Sequence, residues 1–194
     1  MKKSALIVID FINDIVHKDS IMGTTAQFVE QYKVIDRAND AMHFARAHGI
    51  PVVLVKVGFN AGYPECPKHS PVFANAKKFG KLQLNTWGTE FHEALQYHKD
   101  DLVITKHRVS PLYATDLETF LRANQIDTLF IAGVSTDMAV QTLAREAHDR
   151  DYQVNIIADA CGTYTLEIHQ FTLKCLERVA AIVHTTELNA GMLA

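Results

Sequence analysis

Three scarcities narrow the field before any motif is read. Cysteine is the first: Cys66, Cys161 and Cys175 are an odd number without CxxC spacing, which suggests neither a disulfide framework nor a zinc site. Such a set suits a reducing compartment, and a cytoplasmic location is expected. Long hydrophobic runs are also missing, since nothing approaches the roughly 20 apolar residues that span a bilayer. The opening MKKSALIVID begins like a signal peptide, with two lysines before an apolar run. That run stops at Asp10, too short for a signal core, and no small-residue cleavage site follows, so it reads as a first buried strand. The third scarcity is charge of one sign: 19 scattered Lys and Arg stand against 22 Asp and Glu, a formal net charge of −3. No electrostatic footprint for nucleic acid or an anionic membrane results, and a small-molecule or protein partner is favoured.

What is present is material for one core. The 194 residues are 48% hydrophobic and contain no internal repeat, low-complexity tract or interdomain linker, so residues 1–194 are read as one domain. Apolar, β-branched runs recur at Ala5–Ile9, Val52–Val57, Leu102–Thr105, Thr128–Ala132, Val154–Ala158 and Ala181–His184. Each is short enough for a strand and too continuous for a half-exposed one, the pattern of buried parallel strands. Helical patterns lie between them at Thr25–His48, Asp116–Ala123, Asp137–Arg150 and Leu166–Val179, with a short one at Glu90–Leu95. Alternation of the two implies βαβ units and an α/β class. Gly49 followed by Pro51 forms a helix stop and strand start. Asp116 and Asp137 sit where an N-cap or first-turn carboxylate stabilises a helix start. The segment Gly58–Trp87, about 30 residues, is long for a loop inside a compact domain and is read as a pocket wall or subunit contact.

In open α/β sheets, ligands bind at the carboxyl ends of strands where the winding reverses. Three features fall there: Asp10 ending the first strand, Lys106 following the third, and Gly133-Val134-Ser135-Thr136-Asp137 joining the fourth to its helix. A carboxylate ending an apolar strand must be solvated, paired or functional, and a nearby lysine is its natural partner. By position alone, Asp10 as a turn cap with Lys106 as a structural partner remains as good a reading as a reacting pair.

The stretch from Ala5 to Asp14 (ALIVIDFIND), the segment Val103–Ser110 (VITKHRVS), Gly133–Val140 (GVSTDMAV) and Asp159-Ala160-Cys161 together resemble, in order and spacing, the motifs of the isochorismatase-like hydrolase superfamily. The resemblance covers nearly the whole chain. It implies a doubly wound domain with a six-stranded, mainly parallel sheet in the order 3-2-1-4-5-6 flanked by helices. It also implies hydrolysis of a small amide, urea or vinyl ether, with dimers or larger homo-oligomers such as tetramers. In that family an aspartate matching Asp10 is the general base and a lysine matching Lys106 supports the developing charge. A non-proline cis peptide matching Val134–Ser135 aims backbone N–H groups at an oxyanion.

Three departures qualify the match. Most relatives carry a nucleophilic cysteine where this chain has Ala139, and a methyl group cannot attack a carbonyl. The alanine leaves open a thiol-independent hydrolase, a cysteine-to-alanine trapped form, or a catalytically silent binding or assembly protein. Cys161, after the fifth strand, is a displaced-nucleophile candidate, although a free cysteine is more often a small buried hydrophobe; Cys66 and Cys175 read as structural. Ile12 stands where the isochorismatases proper usually have glutamine, which makes isochorismate itself a poorer substrate. Where nicotinamidase-like members place metal ligands after the second strand, this chain reads Val55-Lys56-Val57-Gly58-Phe59; no zinc or other metal and no cofactor is expected. His43 and His48 lack the spacing of a helical ligand pair. Around the site, Phe11, Phe59, Tyr63, Trp87, Tyr113 and Met138 are candidate substrate contacts, and Arg108 is a candidate bidentate partner for a substrate carboxylate.

Overall fold

In the computed structural model, which describes residues 3–20 and 25–189, six strands form one parallel sheet in the order β3-β2-β1-β4-β5-β6. They are β1 (Ser4–Ile9), β2 (Val52–Val57), β3 (Leu102–Lys106), β4 (Thr128–Val134), β5 (Gln153–Gly162) and β6 (Ala181–Val183). Alternate residues of each central strand feed opposite faces, as the two-residue period of a strand requires. Ala5, Ile7 and Ile9 of β1 join Val53, Val55, Leu129 and Ile131 in one core. Leu6 and Val8 join Val52, Leu54, Phe130 and Ala132 in the other. The apolar runs are continuous because both faces are covered.

The first core is closed by α5 (Leu117–Ala123), α6 (Gln141–His148) and α7 (Leu166–Leu176). The second is closed by α2 (Ala26–Gln31) and α3 (Val34–Ala47), with α1 (Asn13–Val16) beside them. The winding reverses between β1 and β4, so their carboxyl ends flank the crevice expected of a doubly wound sheet. A third, smaller core gathers Ile12, Val57, Phe59, Tyr63, Phe73 and Leu82 under the long segment after β2, which includes the one-turn α4 (Ala76–Phe79). No helix among the described residues is long and apolar enough to cross a membrane.

Several elements differ from the sequence expectation. The helix expected over Thr25–His48 is two helices, parted where Lys33 adopts a left-handed conformation (φ 54°). The helix expected over Glu90–Leu95 is absent; a 3₁₀ turn covers Trp87–Thr89 instead. The backbone there pairs with the chain leaving β1: Asn13 N–H donates to Glu90 O (3.0 Å) and His92 N–H to Phe11 O (2.9 Å). Those bonds replace the ones a helix would make. The helix expected over Asp137–Arg150 begins with a wide π-type turn, Thr136–Val140, before α6. Asp116 makes no side-chain cap; the Thr115 hydroxyl accepts from Leu117 N–H (3.2 Å) in its place. Lys106 lies within β3, and β5 runs through Cys161, bulging so that Ile131 pairs with Ile156 but Gly133 with Cys161. Gly49 has φ +67°, as a glycine helix stop requires.

Close packing at the crevice depends on one glycine. A Cβ on Gly133, whose φ is +144°, would lie 2.5 Å from Ile9 O and 2.7 Å from Ile9 Cβ. Gly133→Ala is therefore expected to destabilise the fold by about 3 kcal/mol or more, read from the denaturant midpoint, because backbone on a central strand cannot move aside.

Candidate functional site

Asp10 leaves β1 in a left-handed conformation (φ 59°), which turns the chain sharply off the strand; aspartate tolerates this region better than most residues. Its carboxylate is buried and has two partners. Oδ1 accepts the Val57 N–H from the end of β2 (2.8 Å), and Oδ2 meets Lys106 Nζ from the end of β3 (2.8 Å). Lys106, 2% exposed, directs its remaining hydrogens at the carbonyls of Val109 (3.1 Å) and Arg108 (3.3 Å). An ammonium with all three hydrogens engaged is a fixed charge. Burial pushes the Asp10 carboxyl above its ordinary range, opposed by the Lys106 charge and by hydrogen bonds from Lys106 and Val57.

The other wall is the end of β4. Ile9 pairs with Gly133, so Asp10 and Val134 are the next residues along adjacent parallel strands. The Val134–Ser135 peptide is cis. Ser135 O then accepts N–H bonds from Met138 (3.0 Å) and Val140 (3.2 Å), opening the π-type turn that carries Ala139. Ala139 is buried among Ile9, Leu112 and Leu143 in the first core. Thr163 fixes this turn by donating its hydroxyl hydrogen to Asp137 Oδ1 (2.5 Å), and Thr136 Oγ1 meets His169 Nδ1 at 2.9 Å.

Not all the residues expected at the site come together. Phe11 is fully buried in the second core and forms no open wall. Phe59 and Tyr63 are buried in the third core, Phe59 stacked on His107 and the Tyr63 hydroxyl donating to Lys81 O (2.8 Å). Arg108 turns Nη1 to the carbonyls of Glu65 (2.8 Å) and His107 (2.6 Å), so it ties the long segment to the turn after β3. Trp87, 45% exposed, packs edge-to-face on His17. Tyr113 is 58% exposed just beyond the Lys106 turn, and Met138 is half-buried next to Ala139. Cys161 is buried against Ile131 O, and burial pushes its thiol up to about 12, so it holds no useful thiolate near neutral pH. Lys56 spans to Thr89 O (3.4 Å).

One feature escaped the sequence. Asp14 forms a second buried carboxylate–lysine pair with Lys81 (3.1 Å), and its Oδ2 accepts the Leu82 N–H (2.7 Å). Gly88 is required opposite, since a Cβ there would lie 2.1 Å from Asp14 Oδ2. Asp14 thus fastens the chain at Lys81 and Leu82, ahead of Trp87, and packs closely against Gly88 just after it. Its apolar surroundings were legible, but its partners lie some 70 residues away and nothing local announces them.

Comparison with known proteins places this geometry. The isochorismatase domain family profile matches residues 4–187. An uncharacterized isochorismatase family protein of Escherichia coli, YecD, is 32% identical over 191 residues, covering 97% of this chain and 96% of its own. The ureidoacrylate amidohydrolase RutB of Methylorubrum extorquens is 33% identical over 170 residues, 81% of this chain and 68% of the relative. The crystal structure of N-carbamoylsarcosine amidase from Thermoplasma acidophilum superposes with a TM-score of 0.77 at 25% identity, covering 97% of this chain and 99% of that one. With its sheet order, its crevice and these matches, the chain belongs to the isochorismatase family.

Proposed function

We propose that the protein is a small-molecule hydrolase that cleaves an amide or urea C–N bond at the Asp10–Lys106 pair, using water in place of a cysteine thiolate. The observation that carries this reading is the buried Asp10–Lys106 contact of 2.8 Å at the point where the winding of the sheet reverses. Two relatives with ureido or carbamoyl names support the substrate class. Asp10 takes a proton from the attacking water as its oxygen bonds to the carbonyl carbon. The oxyanion so formed is held by backbone N–H groups at the Val134–Ser135 end of β4, and Lys106 keeps the carboxylate ionised and placed. As the C–N bond breaks, Asp10 returns that proton to the departing nitrogen. No metal or other cofactor takes part in these steps. Trp87, Tyr113 and Met138, rather than the buried aromatics, are left to contact the substrate.

A second reading is supported by the raised Asp10 pKa. Burial favours the neutral form of this carboxyl, against the pull of Lys106, and in that form it can act as an acid, donating its proton to a vinyl ether. The two readings have opposite pH dependence. If Asp10 is a base, kcat/KM is lost as pH falls through its folded pKa, which lies above the ordinary value of 3.8; if it is an acid, kcat/KM is lost as pH rises through that same pKa.

Ammonia release from a panel of small amides and ureas, with vinyl-ether hydrolysis run alongside, tests the proposal. The chain as it stands is expected to turn over, and Asp10→Asn to lose about two to four orders of magnitude in kcat. Activity appearing only in Ala139→Cys would identify a disabled cysteine hydrolase, and silence in every variant a binding or assembly protein. Lys106→Met leaves Asp10 buried without its partner and is expected to cost about 3–5 kcal/mol of stability in thermal or denaturant unfolding.

We also read the chain as a homo-oligomer, a dimer or tetramer. Exposed apolar side chains in and just before α7 support this: Phe171 is 70% exposed, and Tyr164 and Leu166 are exposed as well. Light scattering is expected to give a multiple of 21.7 kDa.

A further inference from the structure

Outside the Asp10–Lys106 centre, the described residues contain a gathering of ligand-type side chains: His17, His92 and Glu93 each offer a donor atom within 4.8 Å of the other two. Backbone pairing brings them together. His17 follows α1, while His92 and Glu93 lie in the segment whose carbonyls and N–H groups bond to the chain between β1 and α1, through Asn13 N–H to Glu90 O and His92 N–H to Phe11 O. The positions are therefore set before any ligand arrives, as a binding site requires.

Without an ion, hydrogen bonds to Nδ1 orient both rings. His17 Nδ1 accepts the N–H of Asp19 (3.1 Å), and His92 Nδ1 accepts that of Ala94 (3.1 Å), which leaves Nε2 as the ligating nitrogen of each ring. His17 Nε2 stands 3.6 Å from Glu93 Oε1. That is too long for a hydrogen bond but near the separation of about 3.3 Å between two ligands of one tetrahedral ion at about 2.0–2.1 Å. A cavity of about 300 Å³ borders all three side chains and gives an ion and its waters both room and access.

We propose that His17, His92 and Glu93 bind a late first-row divalent cation, zinc being the member that two imidazoles and one carboxylate fit best, with water completing the shell. Lys56, within β2, is not one of the three ligands, although its ammonium reaches the same segment at Thr89 O (3.4 Å) and over the Phe91 ring; the site does not rest on the hydrolase reading. Ligation through Nε2 moves each ring proton to Nδ1, so filling the site gives up the two bonds from Asp19 and Ala94. A bound ion would tie the end of α1 to the segment just beyond Trp87.

Trp87 is the only tryptophan in the chain, and its ring centroid lies 5.0 Å from that of His17, so it reports directly on this site. Titration of the full chain with nickel or cobalt ions is expected to quench its fluorescence saturably at one ion per chain, with zinc competing. His92→Ala and Glu93→Gln are each expected to weaken the apparent affinity at least about tenfold, and His48→Ala, at the exposed end of α3, to leave it unchanged. Glu93 is exposed, so its conservative replacement tests ligation without threatening the fold. Absence of saturable quenching would overturn the proposal, as would quenching of equal strength in the His92 and Glu93 variants.

Discussion

The buried pair of Asp10 and Lys106 is the interaction on which the rest of the crevice depends. Each charge alone would be untenable at that depth, because burial without a partner costs several kcal/mol even after the surroundings relax. Together they are held by three strand ends: β1 supplies the carboxylate, β2 the Val57 N–H, and β3 the ammonium. The parallel register that pairs Val57 with Lys106 and Ile9 with Val55 sets those ends side by side. Chemistry and topology are thus coupled: slipping β3 by one residue would turn Lys106 to the opposite face and strand Asp10.

The long segment after β2 serves this pair at second hand. Its aromatic side chains were natural candidates for a ligand wall, yet Phe59, Tyr63 and Phe73 pack into a core of their own. That core is stitched to the Lys106 turn by Arg108 on Glu65 O and by His107 Nδ1 against Gly58 O at 2.5 Å, and to α1 by Asp14 on Leu82 N–H and Lys81. The carbonyls of Arg108 and Val109 that receive the Lys106 ammonium are therefore positioned by this segment. It acts as a support for the lysine.

What could be read from the sequence follows from how local each cause is. The strands were legible because burial on both faces makes each an unbroken apolar run, and Asp10 was legible as a carboxylate interrupting one. Lys33 gave no warning of a helix break, since a left-handed residue is usually announced by glycine or asparagine and this one is lysine. The segment 90–95 has helical periodicity but finds its hydrogen bonds across space, with Phe11 and Asn13. Phe11 and Phe59 could be assigned to the neighbourhood of the crevice, but not to the side of the chain on which they would lie. Asp14 stood in the same motif as Asp10, and only its distant partners Lys81, Leu82 and Gly88 give it a role.

The alanine at position 139 leaves no thiol at that point of the chain. Its methyl group is packed within the first core, and the thiol of Cys161 lies buried with its pKa raised to about 12, so neither offers a nucleophile. The Lys106 ammonium is engaged on all three hydrogens and cannot rotate to deliver one without breaking a bond to Asp10, Arg108 or Val109. At Asp10 burial pushes the carboxyl pKa up, while the Lys106 cation and the hydrogen bonds from Lys106 and Val57 oppose it. In the proposed hydrolysis it is this carboxylate that takes a proton from water and returns it to the departing nitrogen within one catalytic cycle.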